Sequence, residues 1–482
     1  MNKKMIRYIV GSIIMLEAAL LLLPILTAIV YGEWNTLRVF AGSALFCIVA
    51  GALLRGKKPE NTTIFSVEGY VSVALCWVAL SICGAIPLCV SGVLQNPFDA
   101  FFEIVSGFTT TGSSVMQSVE GAPRAILMWR SFSHWVGGMG VLVFMLALLP
   151  MAGPSSMHLM KAESPGPSVG KLVPKVRSTA KILYQIYFVL TVAMLACMIL
   201  TGCPLFDSIN LTFATAGTGG FGVLDSSAAE YGAATQWVMT IFMILFGVNF
   251  NVYFLFYVKR FKEGMKSEEA RAYLGIIASA VLLISVNIFY MVRNLELTVR
   301  QAAFQVASII TTTGFSSVDF DLWPEFSKGI LVLLMFCGAC AGSTGGGIKV
   351  SRLCIMAKTV MKELAFIIHP RNVRKTRFEG KTVEHEVLRS INVFLVAYLG
   401  IFVLSVMLIS LDNFDFATNF TAVAATLNNI GPGLAKVGPT QNFGIYSNFS
   451  KLVLAFDMLA GRLEIFPMLV PMIYLLRKKQ LS

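Results

Sequence analysis

The sequence predicts an all-α polytopic membrane protein, and three observations support this fold class. The chain has 482 residues, of which 56% are hydrophobic and only 13% are charged, whereas soluble domains carry about 25% charged residues. Apolar runs of about 20 residues, the length of helix that crosses a bilayer, recur along the whole chain. Short polar stretches rich in Thr, Asn and Gly lie between these runs at four places.

Ten apolar runs are predicted to be transmembrane helices, and an even number puts both termini on one side. Most Lys and Arg fall in loops of a single face, which the positive-inside rule makes cytoplasmic, together with both termini. The net charge of +12 therefore indicates topology and contact with the lipid bilayer rather than a nucleic-acid partner. The ten predicted spans are residues 5–31, 36–54, 70–92, 125–150, 180–202, 234–258, 272–292, 326–348, 388–410 and 448–475.

The nine cysteines lie mostly inside these apolar runs, as Cys47, Cys76, Cys83 and Cys197 do. A free Cys in such surroundings behaves as a small hydrophobic residue. The sequence therefore predicts no disulfide framework.

A fourfold repeat organises the rest of the chain. Each copy has a candidate helix-capping residue, then a short run of mostly apolar residues, then a Thr or Asn stretch that ends in Gly, and each lies between two predicted spans. The copies are residues 98–112, 206–219, 298–314 and 414–431, with Asp99, Asp207, Thr298 and Asp415 as the candidate caps. The predicted units are an N-terminal two-helix addition (1–68) and four repeats (69–178, 179–270, 271–386 and 387–482).

The helix in each copy is too short to cross the membrane, because ten residues of helix make only about 15 Å. We expect it to enter the membrane as a pore helix and return as an extended strand. Backbone of this kind is tolerated at membrane depth only where it is buried in protein or lines a water-filled path. Four such strands around one pseudo-fourfold axis would offer carbonyl and hydroxyl oxygens that replace the hydration shell of an alkali cation. The predicted filter residues are Thr110, Thr111, Gly112, Gly217, Thr218, Gly219, Thr312, Thr313, Gly314, Asn429, Ile430 and Gly431.

The four stretches and several further motifs resemble the Trk/Ktr/HKT superfamily of potassium transporters, and most closely its TrkH branch. The resemblance covers essentially the whole chain. Its further motifs are Trp129–Gly140 (WRSFSHWVGGMG), Glu163–Pro167 (ESPGP), Gly342–Lys349 (GSTGGGIK), His369–Arg371 (HPR) and Leu427–Gly433 (LNNIGPG).

The resemblance implies a potassium-uptake protein of the bacterial cytoplasmic membrane, with four helix-pore-helix repeats around one path and potassium as the substrate. It also implies a homodimer and a cytoplasmic nucleotide-binding regulatory ring, TrkA. In the superfamily, Gly at the filter position of all four repeats accompanies potassium selectivity. The matching residues here are Gly112, Gly219, Gly314 and Gly431. Because repeats two and four lack the full Thr pattern, we expect weak discrimination against sodium, with rubidium also accepted.

The segment before Lys349 has four glycines in seven residues inside an apolar run, at Ala341–Gly347. Each interior Gly weakens a helix by about 1 kcal/mol relative to Ala, so we expect the helix to break there. A P-loop fits poorly because the Lys comes one position late and no strand precedes it. A helix-packing patch is a further alternative, and our preferred interpretation is an intramembrane gate. Its residues, which we call the glycine loop, are Gly342, Ser343, Thr344, Gly345, Gly346 and Gly347.

Arg462 lies near the middle of the last apolar run, where a charge must face a cavity or a partner. One interpretation is a structural tether to backbone carbonyls. We prefer a fixed positive charge beside the ion path that contacts the glycine loop and opposes the passage of cations.

Other function classes fit the sequence less well. The four His residues show no metal-ligand spacing, which argues against a metalloenzyme, and no cofactor is expected. A secondary transporter of an organic solute also uses broken helices, but usually with twofold or inverted repeats. A proton- or sodium-coupled potassium symporter remains an alternative to channel-like passage. The basic stretches 152–178 and 363–386 and the tail 477–482 are candidate docking surfaces for the regulatory ring.

Overall fold

The structure of the chain is a computed structural model that describes residues 1–61, 63–140, 176–370 and 375–480. Besides loops, the described ranges contain helices, one antiparallel hairpin of β1 (Arg377–Phe378) and β2 (Lys381–Thr382), and four short 3-10 turns. The helices are α1 (Lys3–Leu20), α2 (Leu22–Val30), α3 (Trp34–Arg55), α4 (Ser66–Val90), α5 (Pro97–Phe108), α6 (Arg124–Gly138), α7 (Val176–Leu200), α8 (Leu205–Ala216), α9 (Ala233–Gly247), α10 (Phe250–Tyr257), α11 (Phe261–Met265), α12 (Glu268–Val292), α13 (Leu295–Ile310), α14 (Glu325–Met335), α15 (Val350–Ile368), α16 (His385–Ile409), α17 (Phe416–Leu427), α18 (Asn448–Arg462) and α19 (Phe466–Gln480).

Four short helices, α5, α8, α13 and α17, occupy the places where the sequence predicts helices of half-membrane length. They have 12, 12, 16 and 12 residues, which makes them about 18 to 24 Å long. Their C-terminal halves are buried in the protein.

The starts of these helices differ in part from the prediction. Asp415 does cap α17, because its side chain accepts a hydrogen bond from the Thr418 backbone N–H at 2.9 Å. The other three helices begin earlier, after Asn96, Pro204 and Asn294. The predicted caps Asp99, Asp207 and Thr298 therefore lie inside the first turn, where the two carboxylates, those of Asp99 and Asp207, still interact favourably with the helix dipole.

Six helical stretches are long and apolar enough to cross a membrane by length and composition. They are Lys3–Val30, Trp34–Arg55, Ser66–Val90, Lys181–Leu200, Glu268–Val292 and His385–Asp412. A bent pair, α9 and α10, makes a seventh if its two parts form one span, although their axes differ by 87°. The chain is thus a multi-pass helical membrane protein.

The four remaining predicted spans are those that follow the short helices, and the structure explains why they do not count as continuous helices. α6 ends at Gly138, and the rest of its predicted span lies outside the described residues. The other three are interrupted between α9 and α10, between α14 and α15, and between α18 and α19. Glycines lie at or next to these breaks, at Gly137–Gly140, Gly247 and Gly461.

The short helices pack in a cyclic order. Each short helix packs against the first helix of an interrupted span from a neighbouring repeat. α8 packs on α6, α13 on α9 and α17 on α14, while α5 of the first repeat packs on α18 of the last. The last contact joins residues from the two ends of the chain and closes the cycle. The N-terminal helices α1 and α3 pack against each other and against α4, outside this cycle.

Candidate functional site

The chain segments that follow the four short helices share one backbone conformation. We call them inner segments 1 to 4; they comprise residues 109–112, 217–220, 311–314 and 428–431. The second residue of each has a left-handed φ: Thr110 (56°), Thr218 (54°), Thr312 (57°) and Asn429 (56°). The fourth residue is a Gly with positive φ: Gly112 (81°), Gly220 (80°), Gly314 (89°) and Gly431 (107°).

This conformation is unusual, since few residues other than Gly adopt a left-handed φ. The same hydrogen bond supports it in every segment, from the third backbone N–H to a carbonyl in the last turn of the short helix. The bonds are Thr111 to Ser106 (2.9 Å), Gly219 to Ala214 (2.8 Å), Thr313 to Ser308 (2.8 Å) and Ile430 to Ala425 (2.8 Å). Three different sequences, one of them shared by segments 1 and 3, therefore hold one backbone geometry, which is typical of a functional constraint.

The comparison of these backbones corrects the predicted register of inner segment 2. The residue equivalent to Gly112 is Gly220 and not Gly219, because Gly220 has the matching positive φ and lies four positions after its helix end. Gly217 is the C-cap of α8, and Thr218 corresponds to Thr110. Gly219 is required for another reason, since a Cβ there would collide with the ring of His134.

The inner segments approach one another closely in a closed cycle. A Cβ on Gly112 would collide with the carbonyl oxygen of Gly219, one on Gly220 with that of Thr313, and one on Gly314 with that of Ile430. A Cβ on Gly431 would lie 2.9 Å from the carbonyl oxygen of Thr111. The third carbonyl of every segment thus abuts the glycine of a neighbouring segment, and only glycine fits there.

The side chains of the inner segments are less uniform than the backbone. The hydroxyls of Thr109 and Thr111 lie 2.8 Å apart, and those of Thr311 and Thr313 lie 2.7 Å apart. Segment 2 has glycines at both corresponding positions. In segment 4, Asn429 Nδ2 donates to Thr111 Oγ1 and to the Met458 carbonyl, each at 2.9 Å. The oxygens of the side chains therefore do not form complete fourfold rings.

A buried ion pair supports inner segment 1, and we did not find it from the sequence. Arg130 Nε donates to Glu103 Oε1 at 2.8 Å, and their side chains are only 2% and 0% exposed. Glu103 also accepts from the Val115 N–H at 2.9 Å, just beyond the segment. The guanidinium lies 4.0 Å from the ring centroid of Phe221, next to segment 2. The sequence signal that could have indicated this ion pair is the charge of Arg130 inside the predicted span 125–150.

The glycine-rich stretch forms a largely buried loop between α14 and α15, at the place where the sequence predicts a helix break. Gly342 and Gly347 have φ of 70° and 65°. The Gly346 N–H donates to Thr312 Oγ1 at 2.7 Å. A Cβ on Gly345 would lie 2.9 Å from the Thr311 carbonyl, and one on Gly346 would lie 2.6 Å from the Asn428 carbonyl. The loop therefore packs directly against the starts of segments 3 and 4.

Two buried side chains hold this loop in place. Lys349 Nζ donates to the carbonyls of Gly345, and of Gly346 at 2.9 Å. Glu269 of α12 accepts from the Ala341 N–H at 2.7 Å and from the Ser351 N–H at 3.1 Å. Glu269 also accepts from Asn249 Nδ2 at 3.1 Å, at the break between α9 and α10. The same carboxylate thus joins the glycine loop to the broken helix beside it.

Arg462 ends α18 and spans the space between the loop and α6. Its guanidinium donates to the Thr344 carbonyl at 2.7 Å and, on the other side, to the carbonyls of Gly137 and, at 2.6 Å, of Gly138. The contact with the glycine loop is as the sequence predicts, and so is the tether to carbonyls. Glu464 pairs with Arg352 instead, at 2.6 and 3.0 Å.

A cavity of about 120 Å³ lies between these groups. Glycines of the loop and of the α6 terminus form part of its wall, beside the charged side chains of Lys349, Arg462 and Glu464. The predicted motif at residues 163–167 and the last residue of another motif, Arg371, lie outside the described residues. The same holds for most of the candidate docking stretch 152–178 and for residues 481–482.

Comparison with known proteins identifies relatives over the whole chain. The sequence model of the family described as "TrkH: Cation transport protein" matches residues 36–482. The chain is 35% identical over 480 residues to the Trk system potassium uptake protein TrkH of Salmonella typhimurium, covering 98% of each. It is 30% identical over 472 residues to the Trk system potassium uptake protein TrkG of Escherichia coli, covering 97% of each.

A solved structure is similar throughout. The crystal structure of the potassium transporter TrkH from Vibrio parahaemolyticus superimposes with a TM-score of 0.88 at 32% sequence identity, covering 98% of both chains. The similarity therefore extends over nearly the whole chain.

Proposed function

Because the chain belongs to the TrkH family of cation transport proteins, we propose that it takes potassium up across the bacterial cytoplasmic membrane, along a path framed by the four inner segments. The chain is a transport protein and not an enzyme, and none of its relatives indicates a cofactor. Potassium is its substrate.

The observation that carries this proposal is the closed cycle of glycines and carbonyls. Four backbone oxygens, those of Thr111, Gly219, Thr313 and Ile430, repeat at equivalent positions of four similar segments. Carbonyl oxygens in such an arrangement can replace the water around a dehydrated potassium ion. The C-termini of the four short helices end at the same segments, and their dipoles favour a cation there.

The proposed filter comprises Thr110, Thr111 and Gly112, Thr218 to Gly220, Thr312 to Gly314 and Asn429 to Gly431. We assign discrimination to the backbone, because the side chains match only in segments 1 and 3. Sodium is then excluded less strictly than by a filter with four identical strands, and rubidium passes with potassium.

The proposed topology has ten spans, with the interrupted helices completing four helix-pore-helix units after the N-terminal addition. Both termini then face the cytoplasm, in keeping with the distribution of Lys and Arg. The cyclic packing of the short helices supports one pseudo-fourfold path per chain.

The proposed gate is the glycine loop together with Arg462. The loop packs on segments 3 and 4, and Arg462 crosses from the loop to α6 beside the cavity. A positive charge at this place opposes the passage of potassium until the loop and the guanidinium move. The family suggests that the chain acts as a homodimer, with a TrkA-like ring on the cytoplasmic face to drive this motion.

Coupled symport is the second candidate, and Asp457 is the observation that favours it. This residue is fully buried in α18, where Ser405 Oγ donates to its Oδ1 at 2.7 Å and its Oδ2 has no hydrogen-bond partner among the described residues. The next residue, Met458, contacts inner segment 4 through its carbonyl. A carboxyl group at this place could carry a proton linked to ion movement.

The test is uptake of potassium or rubidium into sealed liposomes that contain only the full chain, with and without an imposed proton gradient. Flux that follows the potassium gradient alone supports channel-like passage. Flux that requires the proton gradient, and loses this requirement in Asp457→Asn, supports symport. Transport of an organic solute without potassium flux would contradict both proposals.

A further inference from the structure

A cluster of potential metal ligands lies among the N-terminal helices, away from the inner segments. Glu17 of α1, Cys47 of α3 and Cys83 of α4 come together, and one carboxylate oxygen and both Sγ atoms lie within 4.8 Å of one another. The residues are 0%, 0% and 6% exposed. They are 30 and 36 positions apart in the sequence, so spacing gave no indication of the cluster.

The carboxylate of Glu17 is the unusual member. Neither of its oxygens has a hydrogen-bond partner among the described residues, although the residue is completely buried. A carboxylate in this environment is costly unless a proton, a cation or hydrogen-bond donors compensate it. The two thiols beside it are weak donors and cannot supply a full charge.

The packing around the carboxylate keeps this space open. A Cβ at Gly84 would lie 2.8 Å from Glu17 Oε1, and the same Cβ would press on Ile104 and Phe108. The carbonyl of Gly84 accepts a hydrogen bond from Trp129 Nε1 at 3.0 Å. Glycine at position 84 therefore leaves room for the Glu17 side chain between α1, α4 and α5.

We propose that Glu17, Cys47 and Cys83 bind a thiophilic divalent cation of the zinc class. Zinc binds Cys sulfur at about 2.3 Å and carboxylate oxygen at about 2.1 Å, so ligand atoms around one ion lie about 3.5 to 4 Å apart. The observed spacing needs only a small contraction to meet these distances. The three protein ligands leave one tetrahedral position open.

The charges in the cluster fit a divalent ion. Each Cys releases its thiol proton to solvent water when the metal–sulfur bond forms, so two thiolates and one carboxylate surround the ion and the site carries one net negative charge. No electron is transferred, because zinc has no redox chemistry in proteins. The bound cation then supplies the partner that the buried carboxylate lacks.

The consequence is a structural tie between helices. α1 and α3 precede the first proposed repeat, whereas α4 leads into α5 and inner segment 1. An ion held by one residue from each would fasten the N-terminal pair to the rest of the protein. This inference does not depend on the transport proposal, because none of its ligands belongs to the inner segments or the glycine loop.

The first measurement is the metal content of the full-length protein. It is produced in zinc-supplemented medium, purified in detergent without a polyhistidine tag, and analysed by mass spectrometry of the elements. We expect about one zinc per chain. The variants Cys47→Ser with Cys83→Ser, and Glu17→Gln, should lose it. Cys76→Ser, which removes a buried thiol of α4 outside the cluster, should retain it.

A second measurement uses the unmodified chain, so that it does not depend on the folding of the variants. Protein produced with cadmium should show thiolate-to-cadmium charge-transfer absorption, and the absorption should be unchanged in Cys76→Ser. The proposal is overturned if the unmodified chain holds no zinc and shows no such absorption. It is also overturned if peptide mass analysis finds Cys47 and Cys83 joined as a disulfide.

Discussion

Replacing Arg462 with Ala should raise potassium flux, and the structure sets the size of the effect. A sphere of about 120 Å³ is about 6 Å across, so an ion in the cavity comes within about 6 Å of the guanidinium in its wall. Two positive charges at about 6 Å repel each other by about 2.8 kcal/mol at an effective dielectric constant of about 20. Removing this barrier corresponds to an increase in flux of up to about 100-fold.

The guanidinium also tethers the loop to α6 through carbonyls of both, and a second variant separates the two effects. Arg462→Lys keeps the charge but cannot reproduce a forked set of hydrogen bonds. If the charge is the barrier, only Arg462→Ala should raise flux. If the tether closes the gate, both variants should raise it.

The assay is rubidium uptake into liposomes, normalised to the amount of protein that is correctly inserted. The unmodified chain and Arg462→Lys are measured in the same preparation series. Unchanged flux in a correctly inserted Arg462→Ala protein would refute the role of this residue as a barrier.

Three further predictions concern the proposed filter, the proposed gate and the buried ion pair that supports inner segment 1. Gly220→Ser should raise sodium permeation relative to potassium permeation by about tenfold or more, which is a loss of selectivity of about 1.4 kcal/mol. The control Gly222→Ala, where a Cβ meets only ordinary contacts, should leave the selectivity unchanged. Equal selectivity of the two variants would contradict the assignment of Gly220 as the equivalent of Gly112. Glu269→Ala removes the acceptor of two backbone N–H groups at the glycine loop. This variant should lower the free energy of unfolding by about 2 to 4 kcal/mol and raise basal flux. Arg130→Met leaves a buried carboxylate without its partner and should lower stability by about 3 to 5 kcal/mol. Thermal unfolding in detergent measures the loss of stability in both variants. The control is Glu263→Ala, which breaks an exposed ion pair and should lower stability by less than about 1 kcal/mol. A loss as small as that of the control would contradict the prediction for the variant concerned.

The sequence predicted the local features of the site because these depend on local composition. Thr and Gly stretches that end apolar runs mark the inner segments, and the four glycines before Lys349 mark the loop. Arg462 was found because a charge inside an apolar helix requires a partner. Each of these signals lies within a few residues of the feature that it marks.

Features that depend on the folded arrangement were missed. In inner segment 2 two glycines, Gly219 and Gly220, follow Thr218, and the sequence does not say which one takes the positive φ. The end of α8 decides it, since the segment starts at the helix C-cap. Likewise the contacts of Glu269 join residues from three elements, and no pattern along the chain indicates such a group.

The way in which the four segments differ supports the proposal that selectivity rests on the backbone. The left-handed residue is Thr in three segments and Asn in the fourth, yet its φ varies by only 3°. Asn429 can replace Thr because Asn tolerates this conformation well, and it uses its amide to fasten segment 4 to Thr111 and to Met458. Segment 2 has no hydroxyl at its first and third positions, and its Gly219 packs against His134. Side chains thus hold the inner segments in place in three different ways, one of them shared by segments 1 and 3, while the four carbonyls next to the glycines stay equivalent.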